Sequence, residues 1–383
     1  MVQFLGMLAA IGMTAACWGT YGPVLHFGFE GMHSALRPFV CVGVAYFVIA
    51  VVVPLALLVR GEKGAWTATG VLWSLLAGAA GALGALGVIL ALHFGGKPIY
   101  VMPLVFGGAP VINTLLSAGM NRAFDQLKAP FLAGLLLVIT GAVTVLVFKP
   151  QPAPARPAVA DAGGVAGHDG SAAAGDAVDQ TAGAAAGQAA GAAAGKAAGA
   201  AAGKAADAAT GKAAVGRVEQ KAERLVAVLL SVALAMASWG SYGPVLHRGQ
   251  AGMQGSRLRP LVCIGISYFL IAVLVPLALL VPLGDTGSWT THGVLWSLAA
   301  GSLGAVGALG TILAFTLGGK PFTVMPVVFG CAPVINTLTT LALAETPLSA
   351  VGPFFLAGML IVAVGAATVL AFGPRGHAPA KPA

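Results

Sequence analysis

The chain has 383 residues, of which 58% are hydrophobic and 8% charged, with a net charge of +8. A soluble domain carries about 25% charged residues, so this chain cannot cover a water-exposed surface and reads as a membrane protein. Its basic residues sit singly in loops and in one linker, with no Arg/Lys cluster interleaved with aromatics, so no nucleic-acid partner is expected.

Apolar runs of about 20 residues, each long enough to cross a bilayer, recur along the chain. The first covers residues 2–25 and carries "WGTYGPVLH". It lacks the basic start of a secretory signal and reads as a retained span. Spans at 38–59 and 71–94 follow, the latter with Gly78, Gly81, Gly84 and Gly87 at every third residue. Small residues in that spacing let helices approach closely. The fourth span, 98–120, falls in "GGKPIYVMPLVFGGAPVINTL", and the fifth is 130–148. Residues 151–223 then form an Ala/Gly-rich linker with almost no large apolar side chains, expected to be disordered or weakly helical.

Beyond the linker the first half is written again. "WGSYGPVLH" returns, then "LRPLVCIGISYFLIAVLVPLALLV" for "LRPFVCVGVAYFVIAVVVPLALLV". "GGKPFTVMPVVFGCAPVINTL" differs from its earlier copy at four of twenty-one positions. The second set of spans is 225–246, 260–283, 294–317, 321–343 and 353–372. The domain reading is therefore 1–150 for the first five-helix repeat, 151–223 for the linker, 224–374 for the second repeat and 375–383 for a tail.

Five is odd, so if the linker does not cross, the second half enters the membrane upside down. Short-loop charge supports this. With a cytoplasmic N-terminus, the inner loops and C-terminus carry Arg60, Lys63, Arg122, Lys128, Arg248, Arg257, Arg259, Lys320, Arg375 and Lys381. The short outer loops carry Arg37 and Lys97. The linker, left outside, is long enough to escape the rule. The expected fold is an all-α membrane protein of ten transmembrane helices in two inverted five-helix repeats, a pattern of secondary transporters. The expected location is the cell (inner) membrane, with both termini cytoplasmic.

The doubled fourth span is the first candidate for a binding element. Pro103 and Pro110 each free a carbonyl four residues earlier. Broken backbone at membrane depth is tolerated only where it is buried or lines a cavity. Pro103, Gly107, Pro110 and Asn113, with Pro326, Gly330, Pro333 and Asn336, therefore either line a substrate path or kink a packed helix. Trp18, Tyr21, Trp239 and Tyr242 either gate or stack on a substrate, or belong to the interfacial aromatic belt. Lys97 and Lys320 either snorkel to headgroups or place charge at the cavity mouth. Cys17, Cys41, Cys263 and Cys331 lie in apolar runs without CxxC spacing and read as small hydrophobes, not as a disulfide or zinc framework. No carboxylate lies clearly mid-span, so no coupling residue is evident. No catalytic motif, metal site or cofactor is expected.

Two five-span halves, "WG" in the first span, Arg37 and Arg259 opening the second, and a proline-bearing fourth span resemble the drug/metabolite transporter superfamily, specifically its EamA-like domains. The resemblance is strongest in "PVVFGCAPVINTLTTLALAETPLSAVGPFFLAGMLIVAVGAATVL", with its loop Glu345 and its Gly358 and Gly365. It implies ten helices, an inverted repeat and a central site built from the first, third and fourth spans of each half. Arg122 near the place of Glu345, the "GGKP" approach to the fourth span and the long linker depart from that pattern. The expected function is alternating-access transport, import or export, of a small polar solute, neutral or zwitterionic, with a homodimer allowed. The alternative is a non-transporting membrane scaffold or sensor that works through its linker.

Overall fold

The computed structural model describes residues 2–96, 98–148, 188–343 and 351–374, with side chains except at 98–100, 103 and 188–219. The long helices are α1 (Val2–Met32), α2 (Leu36–Leu58), α3 (Ala68–His93), α4 (Pro98–Asn121), α5 (Ala129–Val147), α6 (Gln188–Gly252), α7 (Leu258–Leu279), α8 (Thr291–Thr316), α9 (Pro321–Leu343) and α10 (Pro353–Phe372). Among the described residues, nine helices are long and apolar enough to cross a membrane. The protein is an all-helical multi-pass membrane protein. The chain forms two compact units, one of residues 1–152 with 225–383 and one of residues 153–224.

Local chemistry sets the helix ends. Thr67 and Thr290 cap α3 and α8, each hydroxyl accepting the N–H of the residue three ahead, Gly70 at 3.0 Å and Gly293 at 3.1 Å. Each hydroxyl also donates outward, Thr67 to Gly252 O at 2.8 Å and Thr290 to Gly31 O at 2.7 Å. One side chain thus closes the start of one helix and the end of another. Past those ends the backbone turns through left-handed residues, His33 after α1 and Gln254 after α6. In α2 and α7 a π turn, Val48–Val52 and Leu270–Leu274, ends two positions before a proline, Pro54 and Pro276. The wider turn accommodates a residue that has no N–H to donate.

Glycine decides which helices meet. A Cβ on Gly301 would stand 2.7 Å from Val42 Cα, and one on Gly78 2.7 Å from Ile264 Cα. Glycine on α8 therefore lets in α2, and glycine on α3 lets in α7. The next two glycines of each stripe seat aromatic rings. Gly81 lies under Tyr268, Gly84 under Trp239, Gly304 under Tyr46 and Gly307 under Trp18. So α1 packs on α8, and α6 on α3, across the two halves.

Contact order along each pair gives direction. Along α2 and α7, Gly43 meets Ala272 while Gly265 meets Ala50. Along α5 and α10, Gly134 meets Thr368, Gly141 meets Val362 and Gly358 meets Val145. In α4 and α9, Phe106 approaches Phe329 while Asn113 reaches Pro321. Each of these sequence-matched pairs runs antiparallel.

Of the two states expected for the linker, disordered or weakly helical, the chain is helical from Gln188 onward. Alanine favours helix enough to outweigh recurring glycines that cost about 1 kcal/mol each. Residues 151–187 lie outside the described residues, as do Lys97 and Glu345.

Replacing a seam glycine tests the packing. Alanine gains about 1 kcal/mol of helix propensity over glycine, while overpacking costs about 1–3 kcal/mol. A Cβ on Gly84 would stand 2.1 Å from Trp239 Cδ1, and one on Gly307 2.3 Å from Trp18 Cδ1. Gly84→Ala and Gly307→Ala should therefore lower the thermal midpoint of the purified protein. Gly12→Ala, which meets nothing within 4 Å, should leave it unchanged or raise it.

Candidate functional site

A cavity of about 90 Å³ lies inside the bundle. Its walls come in sequence-matched pairs: Trp18 with Trp239, Tyr21 with Tyr242, and Tyr46 with Tyr268. Phe106 with Phe329 and Gly81 with Gly304 complete the matched set. Each of these residues lies near the middle of its apolar membrane-crossing stretch, which for Trp239 and Tyr242 is Gln220–Gly252, so the cavity sits at mid-depth of the bundle. No charged side chain lines it.

The seam builds this room. Each indole lies on a glycine of the opposite half and donates its N–H to a backbone carbonyl there. Trp18 Nε1 reaches Gly304 O at 3.2 Å, and Trp239 Nε1 reaches Gly81 O at 3.1 Å. Both indole donors are thereby spent on the frame. Tyr46 and Tyr268 stack with centroids 3.7 Å apart and planes 1° off parallel. Trp18 meets Tyr242 edge-on at 5.7 Å, and Phe106 meets Phe329 edge-on at 6.2 Å. Tyr242 is 4% exposed, and its hydroxyl has no hydrogen-bond partner among the described residues.

Two ion-pair clusters of matching composition stand at the helix ends. In the first, Arg37 Nε meets Asp285 Oδ1 at 2.9 Å, and the guanidinium lies 5.6 Å from the Trp289 ring centroid. Ser34 donates to Asp285 and accepts the N–H groups of Leu36 and Arg37. In the second, Arg259 Nη1 meets Glu62 Oε2 at 3.3 Å, with Trp66 at 5.9 Å. Ser256 donates to Glu62 at 2.6 Å, while Glu62 accepts the N–H groups of Arg257 and Leu258 at the start of α7. A carboxylate suits a helix N-terminus, where unpaired N–H groups carry partial positive charge. Each cluster ties the start of the second helix in one half to the loop before the third helix of the other. Because α2 and α7 are antiparallel, their starting ends, and so the clusters, lie at opposite ends of the bundle. Beside the first is a second cavity of about 200 Å³, lined in part by His33, His93 and Asp285.

Burial opposes ionisation of Asp285. Hydrogen bonds from Ser34, Arg37 and the Gly287 N–H, with the positive charge of Arg37, outweigh it and hold the carboxyl below its usual range.

Of the residues proposed from sequence, Trp18, Tyr21, Trp239 and Tyr242 line the central cavity. The fourth-span set is packed elsewhere. Gly107 faces Ile139 and Val143 of α5, and Gly330 faces Val138 and Val362. Asn113 is fully buried and donates to Pro321 O at 2.9 Å; its Oδ1, Thr114 Oγ1 and Ser117 Oγ have no partner among the described residues. Pro110, Pro326 and Pro333 are buried, and Asn336 lies half-buried against Gly22. Pro103 is within α4, its side chain not among those described, and Lys320 is half-buried just before α9. Tyr46, Tyr268, Phe106 and Phe329 are the aromatic cavity residues that sequence reasoning missed. The usable signal was that each repeats at the spacing of its own span, 222 residues for the tyrosines and 223 for the phenylalanines. The four cysteines are unpaired thiols, and no cluster suited to a metal ion occurs among the described residues.

No known protein-family model and no curated protein matches this chain. A solved structure described only as "Crystal structure of protein" is similar over 95% of this chain and 96% of that one, with a TM-score of 0.55 and 19% identity. That likeness extends to the fold alone.

The Arg37 cluster should be worth measurable stability. Asp285→Asn should cost up to about 1.5–3 kcal/mol at neutral pH, the range for a hydrogen bond to a charged group. Because the folded carboxyl titrates below its unfolded value of about 3.9, its contribution is complete above that value. It is lost as pH falls through the lower folded value. The gap in thermal midpoint between parent and variant should be constant from about pH 7 to 5 and close below about pH 4.

Proposed function

We propose that the protein is a ten-span carrier of a small solute across the cell membrane, built as an inverted repeat and working by alternating access. The cavity carries this reading: it is walled by matched residues from both halves and sits where equivalent antiparallel helices cross. Such a site is equidistant from both sides of the bilayer, as a shared binding site in an inverted-repeat transporter must be. The ion-pair clusters support it. Each bridges the two halves at one end, so opening one while keeping the other exposes the cavity to one side. An exposed cation–π contact is worth about 0.5–1 kcal/mol and a charged hydrogen bond about 1.5–3 kcal/mol. That is enough to bias two states and small enough to be overturned by a ligand that prefers one of them.

The resemblance to EamA-like transporters agrees with this reading, with the site moved from the fourth-span prolines to the aromatic rings. The charge distribution favours cytoplasmic termini, which puts the Arg37 cluster and its neighbouring 200 Å³ cavity outside and the Arg259 cluster inside.

Reporter tags after Phe148 and after Phe372 should fall on opposite faces of the membrane. In a variant lacking the four native cysteines, Ala332→Cys at the cavity wall should react with a membrane-impermeant thiol reagent from either side. Reaction from neither side in vesicles of both orientations favours a scaffold and overturns the carrier reading.

A further inference from the structure

The walls of the central cavity narrow its ligand by chemistry, an inference that rests on the carrier reading. An anion would face ring π-clouds, which are negative, and would find both indole N–H groups committed to Gly81 and Gly304. The carboxylate of a zwitterion meets the same obstacle. A sugar brings several hydroxyls, and each left unpaired costs about 1–3 kcal/mol; the lining has few polar groups to receive them. A wholly apolar solute dissolves in the bilayer and needs no carrier.

A cation reverses each of these objections. Ring faces attract positive charge, and the attraction grows when water is excluded. Eight aromatic side chains line this one cavity: two tryptophans, four tyrosines and two phenylalanines. With no carboxylate in the wall, a primary ammonium would surrender its strong hydration for too few acceptors to satisfy its three N–H donors. A quaternary ammonium has no N–H to satisfy and spreads its charge over methyl groups. The buried Tyr242 hydroxyl, unpartnered among the described residues, remains free to hydrogen-bond one polar arm. A volume of about 90 Å³ restricts the head to a compact group.

We infer that the aromatic cavity binds a compact quaternary-ammonium cation carrying one hydrogen-bonding arm, held by ring faces and by the Tyr242 hydroxyl. This replaces the neutral or zwitterionic solute expected from sequence.

The test uses the full chain purified in detergent, with binding followed by tryptophan fluorescence and calorimetry. Choline is compared with 3,3-dimethyl-1-butanol, its neutral carbon analogue, and with ethanolamine, its primary-ammonium counterpart. Choline should bind at least about tenfold more tightly than either. Trp18→Leu and Trp239→Leu should weaken choline binding about tenfold, whereas Trp18→Phe should retain most of it. If the leucine variants do not fold, Tyr242→Phe decides: it should weaken choline several-fold and leave tetramethylammonium unchanged. Equal binding of the neutral analogue, tighter binding of ethanolamine, or no binding of either cation overturns the inference. Flux into proteoliposomes is measured separately. Choline binding without flux sinks the carrier reading and leaves the ligand class standing; flux of another solute without cation binding does the reverse.

Discussion

A ring laid on a glycine is the contact on which the rest of this structure depends. In lipid, apolar side chains gain little by leaving their surroundings, so helices associate through close packing and satisfied polar groups. The stripes on α3 and α8 supply both. Missing side chains at Gly84 and Gly307 admit the indoles of Trp239 and Trp18, and nearby carbonyls take the indole protons. An unsatisfied buried donor would cost about 1–3 kcal/mol, so each tryptophan has one favourable seat. Four rings placed this way, those of Trp18, Trp239, Tyr46 and Tyr268, leave between them the space that the other aromatics close.

Around that seam the molecule differs in how firmly it is held. The α5–α10 contact interlocks glycines of both helices against backbone, as at Gly141 with Gly358 O and Gly365 with Gly134 O. Nothing polar needs to break for it to persist or slide. The ends of α2 and α7 are held instead by discrete ion pairs, which are either made or broken. Midway along α2 and α7 the π turns before Pro54 and Pro276 give both helices an interrupted hydrogen-bond ladder. The matched fourth spans are not equal, however. Thr337 and Thr340 donate to carbonyls one turn back, whereas Thr114 and Ser117 make no such bond. The two halves share a plan and differ in polar detail.

Much of the fold was legible. The apolar runs and their spacing gave the positions of eight helices to within a few residues, because hydropathy and proline boundaries act locally, while α1 runs on to Met32 and α6 begins as early as Gln188. Trp18 and Tyr21 attracted notice for a similar reason, being bulky amphipathic rings before a proline. Tyr46 and Tyr268 did not, since "VAYF" and "ISYF" sit in unbroken apolar runs where nothing local distinguishes a cavity wall from a packed core. The fourth-span prolines and asparagines stand out in the sequence because they are costly in a membrane helix. Packing covers part of that cost: Asn113 donates its amide N–H to Pro321 O while its Oδ1 stays unpartnered among the described residues, and Gly107 and Gly330 turn toward neighbouring helices. Which face of a helix looks inward depends on partners from the other half of the chain, and that information is tertiary. The ion-pair clusters were hidden likewise, since Arg37 and Asp285 are 248 residues apart.

The exchanged seating of α1 on α8 and of α6 on α3 bears on how the chain is made. When the first five helices have left the ribosome, Trp18 has no carbonyl to bond and the groove along Gly84 is vacant. Thr67 has capped its own helix, but the carbonyl it will hold on Gly252 has yet to be synthesised. The early half must wait in the bilayer as a loosely gathered group of helices. Its final packing is dictated by a segment translated later, which makes biogenesis of this protein a single event with a late commitment.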